Sequence, residues 1–98
     1  MFGTGGHAAH PGEIPLQTTF PNLTADAFEL ARFWVNGERS FVAVGMPAQW
    51  QPELLGSLLV ESIHTAAAAY AQQTGLAEDE VLDRMWRGLD DERGRLGE

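Results

Sequence analysis

Apolar and polar positions alternate differently along three parts of the chain. Between Phe28 and Val44, two apolar runs, FELARFWV and ERSFVAV, flank the pair Asn36-Gly37. Asn-Gly between apolar runs is a strong hairpin signal, because its two-residue turn needs positive φ at both positions. With those residues as the turn, Trp34 faces Arg39, Arg32 faces Phe41 and Leu30 faces Ala43 on one side. Phe33 opposite Ser40 and Ala31 opposite Val42 fill the other. A helix from Thr24 to Trp34, capped by Thr24 or Asp26, is the competing reading of the first run.

Further along, the period lengthens to that of a helix. Pro52 in WQPELLG suits a first helical position, where its missing N–H costs nothing. Gln51 is then the cap, and Trp50 can close on Leu55 as a hydrophobic staple. The pattern predicts a helix to about Thr74, with Gly75 as its terminator. Leu55, Leu59, Ile63, Ala66 and Tyr70 form one stripe, and Ser57, Glu61, His64 and Ala68 another. A second helix is predicted over about Glu78 to Arg93, with acids in its first turn and a buried face of Val81, Leu82, Met85, Trp86 and Leu89. Glu80–Arg84, Asp83–Arg87 and Asp91–Arg95 are spaced for i,i+4 ion pairs.

A hairpin followed by two helices is an α+β, two-layer unit, here a single domain over residues 24–98. Residues 1–23 hold four Gly and three Pro with no apolar period, and read as a flexible or extended arm. A lone two-stranded sheet is marginal in water, and two helices cover only one of its faces. Homodimerisation into a shared antiparallel sheet is the expected completion.

Composition narrows the chemistry. Fourteen acids against six arginines give a formal charge of −8, which disfavours nucleic acid and anionic membrane as partners. The absence of Lys removes Schiff-base chemistry, and the absence of Cys removes disulfides, thiol nucleophiles and thiolate ligands. The start has no basic and apolar leader pattern, and uninterrupted apolar runs fall far short of a membrane span. A soluble cytoplasmic protein is expected.

Three motifs invite a metal, nucleotide or catalytic reading, and each fails on spacing or on context. In HAAHPGE, an extended backbone puts His7, His10 and Glu13 on one face but about 9 Å apart, too far for one metal. Gly3-Thr-Gly5-Gly-His-Ala8 matches a dinucleotide fingerprint without the preceding strand. Glu61 can hold His64 on one helix face, but Ser57 lies seven residues from His64, about 10.5 Å along the axis. No catalytic residue, metal site or cofactor is therefore expected. The acid-rich stretch Glu78–Glu92, interleaved with Arg, reads as a solvated face. The distinctive cluster is Arg32, Trp34, Arg39 and Phe41, whose guanidinium and ring groups suit an interface or a pocket for an anionic or planar ligand. Together with Trp50, Glu61, His64 and Tyr70, these are the ligand or interface candidates.

Glu29-Leu-Ala-Arg32-Phe-Trp34, Trp50-Gln-Pro52-Glu-Leu-Leu-Gly56, Leu58-Leu-Val-Glu61 and Tyr70 resemble a domain-of-unknown-function family of small alphaproteobacterial proteins. The likeness runs from Ile14-Pro15 onward. The family pattern has a second Trp where this chain has Leu55, and Arg-His where it has His64-Thr65. An activity that used those positions would be altered here. The resemblance implies a strand at Arg32 to Val35, a helix after Pro52 and no known enzyme. The expected function is a non-enzymatic homodimeric protein-interaction module, with small-ligand binding as the alternative.

Overall fold

The computed structural model describes residues 10–97. It contains a helical turn α1 (Leu16–Thr19), strands β1 (Ala31–Asn36) and β2 (Arg39–Val44), and helices α2 (Pro52–Thr74) and α3 (Glu78–Arg95). The fold is α+β, an antiparallel hairpin followed by two helices. The chain divides into two compact units, one ending at Gly45 and one beginning at Met46.

In the first unit, the described part of the segment read as an arm carries a turn at His10–Glu13 and the helical turn α1, the latter closed by the Phe20 N–H donating to the Leu16 carbonyl at 2.8 Å. Residues 24–30 are not helical; Ala27 donates to the Thr24 carbonyl at 3.0 Å in a turn, and the strand follows. The competing helix from Thr24 to Trp34 does not form.

The hairpin forms in a register different from the one its Asn-Gly pair predicts. Asn36 pairs with Arg39, Val35 with Ser40, Trp34 with Phe41, Phe33 with Val42, Arg32 with Ala43 and Ala31 with Val44. The turn residues are therefore Gly37 and Glu38, and Asn36 belongs to the strand. Gly37 has φ +66°, while no described non-glycine residue has positive φ. Glycine first and an ordinary residue second is the type II′ pattern. Side-chain pairing accounts for the shift. The observed register sets Trp34 against Phe41 and Phe33 against Val42, aromatic and β-branched pairs that stabilise sheets best. The alternative sets each of these aromatics against Arg or Ser. A shift of one pair leaves each residue on its original face, so only the partners change.

Gly37→Ala forces a Cβ into left-handed backbone at about 1 kcal/mol or more. We expect a Tm lower by roughly 4–8 °C in calorimetry. An unchanged Tm would show that the turn relaxes to another type.

In the second unit, α2 and α3 pack together. Gln51 precedes Pro52 in extended conformation without a side-chain capping bond, and Gly75 ends α2 in left-handed conformation at φ +78°. Among the described residues of this unit, Ala67 and Val81 are buried, and on the two helices Leu55, Ile63, Ala68, Ala71, Leu82, Met85, Trp86 and Leu89 are half-buried. The predicted α3 face is confirmed. On α2 the packed stripe keeps Leu55 and Ile63 of the predicted one but is rotated beyond them: Ala67, Ala68 and Ala71 are covered in place of Ala66 and Tyr70, and Leu59 and Tyr70 are exposed. The reason is local. Ala66 to Ala69 are identical, so hydropathy distinguishes no side of the helix there. A methyl group at the contact also lets helix axes approach closely.

By length and composition α2 is also sufficient to cross a membrane, contrary to the expectation drawn from uninterrupted apolar runs. Glu61 and His64 interrupt those runs without lowering the average of the whole helix enough. The core helix of a packed pair has the same composition, and α3 lies against α2.

Candidate functional site

Strand alternation puts Arg32, Trp34, Asn36, Arg39, Phe41 and Ala43 on one hairpin face. Four of the sequence candidates are therefore together, but their partners differ from the prediction. Arg32 does not stack on Phe41. It lies opposite Ala43 and makes a two-pronged bond to Glu29, Nη2 to Oε1 at 2.5 Å and Nε to Oε2 at 3.2 Å. Glu29's hydrogen bonds, then its charge, raise the Arg32 pKa further above its already high value, with Glu13 adding to the effect. Trp34 does not stack on Arg39, whose guanidinium carbon lies 5.4 Å from the centroid of Phe41 on its own strand. Both corrections follow from the register.

Trp34 is instead met by the turn at His10. The His10 ring stands edge-on to the indole, centroids 4.9 Å apart at 80°. The Gly12 N–H donates to His10 Nδ1 at 2.9 Å, and Glu13 closes the turn by donating to the His10 carbonyl at 2.9 Å. A Cβ on Gly12 would lie 3.3 Å from His10 Nδ1 and 3.7 Å from the indole, so the residue is small where the turn approaches the sheet. His10 thus serves as a lid on Trp34. His7, the other half of the apparent metal motif, lies outside the described residues. So does the Gly-rich match at residues 3–8. Among the described residues, no group of three or more His, Cys, Asp or Glu could hold a metal ion.

The opposite hairpin face carries Ala31, Phe33, Val35, Ser40, Val42 and Val44. Phe33 is 62% exposed, Val35 76%, Val42 62% and Val44 50%. The sequence pattern implies that one hairpin face needs a partner, but none of these residues is among the candidates it singles out. The signal was present, since alternate positions from Ala31 to Val35 and from Val42 to Val44 are all apolar. A shallow depression of about 370 Å³ lies at the open end of the hairpin, with Glu29, Arg32 and Gly45 on its rim.

In the second unit the candidates do not converge. His64 meets Trp86 of α3 edge-on, centroids 6.0 Å apart at 71°, rather than pairing with Glu61. The Glu61 carboxylate has no hydrogen-bond or ion-pair partner among the described residues, and Ser62 Oγ donates to the Leu58 carbonyl. Trp50 is half-buried just before α2, its N–H donating to the Pro47 carbonyl at 3.0 Å. On α3, Glu80 and Arg84 pair at 4.0 Å. Arg95 takes Glu92 rather than Asp91, a bond that holds the Glu92 carboxyl below its usual pKa. These pairs are exposed and contribute little to stability.

The family model for a domain of unknown function, DUF5076, matches residues 21–95. The chain belongs to the DUF5076 family. A solved structure from the photosynthetic bacterium Rhodopseudomonas palustrus, described as a "putative pyruvate dehydrogenase", is 32% identical. It matches over 87% of this chain and 85% of its own, with a TM-score of 0.66. A comparison with curated proteins finds no match.

Proposed function

We propose that this DUF5076 chain is a non-enzymatic homodimeric module that binds another protein. The supporting observation is the apolar surface of the unit ending at Gly45. Among its described residues none is buried, and ten large apolar side chains, from Ile14 at 76% to Phe41 at 46%, are exposed. Monomeric proteins rarely leave contiguous apolar patches above a few hundred Å² in water. The turning of His64 to Trp86 rather than to Glu61 supports the non-enzymatic half, as does the absence of Lys and Cys. Sedimentation equilibrium of the full chain at micromolar concentration should give twice the protomer mass. A monomer would overturn the dimer.

Small-ligand binding is the second reading, favoured by the depression at Glu29 and Arg32. Its cation is already neutralised by Glu29, which weakens the case for an anion. The description of the Rhodopseudomonas relative suggests pyruvate as a first ligand to try. Binding of pyruvate that is lost in Arg32→Ala, read by calorimetric titration, would favour this reading over the first.

A further inference from the structure

We propose that two copies of the chain meet through the hairpin face bearing Phe33, Val35, Val42 and Val44, packed face to face. This rests on the homodimer reading and names its contact. Three observations converge on the face and on a second copy as its occupant.

The two faces of the hairpin are not equivalent. One is partly occupied by the chain's own turn at His10 over Trp34, and it carries the charges of Arg32 and Arg39. The other has Ser40 as its one polar side chain and no charge. A partner selected by charge finds nothing to recognise there, whereas uncharged apolar surfaces typify permanent self-association. Pairing hairpins only along strand edges would leave Phe33, Val35, Val42 and Val44 as exposed as before.

The area is of the right size. Phe33, Val35, Val42 and Val44 at these exposures present on the order of 500 Å² of apolar surface on one face, and somewhat more than half of an interface is non-polar. Each partner of a standard interface gives about 800 Å².

Charge decides which part of the molecule copies can share. The net −8 is uneven: residues 1–45 hold four acids and two arginines, residues 46–98 ten acids and four arginines. Two copies that meet through the first unit bring together the parts of the chain that carry the least net charge.

The absence of native cysteine makes the test clean. Val35→Cys and Val42→Cys are made singly in the full chain, with Leu58→Cys on the exposed side of α2 as the reference. Under mild oxidation at micromolar concentration, at least one hairpin variant should become a disulfide-linked dimer on a non-reducing gel, and Leu58→Cys should not. Val42→Glu, at a position 62% exposed, should sediment as a folded monomer with unchanged far-ultraviolet dichroism. A monomeric wild type overturns the homodimer reading itself. A dimeric wild type in which neither hairpin cysteine cross-links, or in which folded Val42→Glu stays dimeric, overturns the face alone.

Discussion

Val81→Asp should leave the chain without a cooperative thermal transition at neutral pH. Val81 sits in the first turn of α3 with 4% of its surface exposed, its N–H donating to the Ala77 carbonyl at 3.1 Å. An acidic side chain there suits the helix dipole, since Glu78, Asp79 and Glu80 already occupy the same turn. Helix propensity is therefore not the cause of the loss. The cost comes from placing a carboxylate against α2, which carries no Lys or Arg to meet it, several kcal/mol for a charge removed from water. Domains of this size hold about 5–15 kcal/mol in total, and the described residues bury only Ala67 and Val81 fully. Val81→Ala removes two methyl groups and should cost less, about 1–3 kcal/mol. Dichroism melts of the two variants check the order. A cooperative Val81→Asp melt near the wild-type temperature would mean that the α2–α3 contact is not what holds this unit together.

The second large effect concerns α2. Ala67→Leu inserts three carbons where the native methyl is wholly buried, and overpacking of this kind costs about 1–3 kcal/mol. That corresponds to a Tm fall of roughly 4–20 °C for a chain of this length. Ala66→Leu, one residue earlier and exposed, should leave Tm almost unchanged. The pair separates two stripes that hydropathy alone cannot separate. Equal effects at both positions would overturn the rotated packing.

The comparison of these two alanines also shows how far the amino-acid pattern reaches. Pro52 and Gly75 mark the ends of α2 because the backbone demands at a helix terminus are local: a missing N–H at the start, a left-handed residue at the end. The face of α3 was legible for a similar reason, since its apolar residues are separated by charged ones at helical spacing. The Ala66–Ala69 run offers no such contrast, and there only contact with α3 selects a side.

The hairpin divides in the same way. Two apolar runs around a glycine turn determine that a hairpin forms, and the strand period determines which residues share a face. Those consequences follow from backbone geometry one residue at a time. The register does not, because it depends on which side chains stand opposite each other, and Trp34 against Phe41 outweighed the local preference of Asn36-Gly37. From that pairing come the release of Arg32 to Glu29 and the seating of Arg39 on Phe41. The docking of His10 on Trp34 lies further still from any local rule, joining residues 24 positions apart through a ring contact. The sequence by itself determined that the hairpin, α2 and α3 form, where α2 ends, and which residues share a face of the hairpin and of α3, since each follows from short-range sterics. Only the tertiary structure decided which partners meet, since that choice compares contacts between residues remote in the chain.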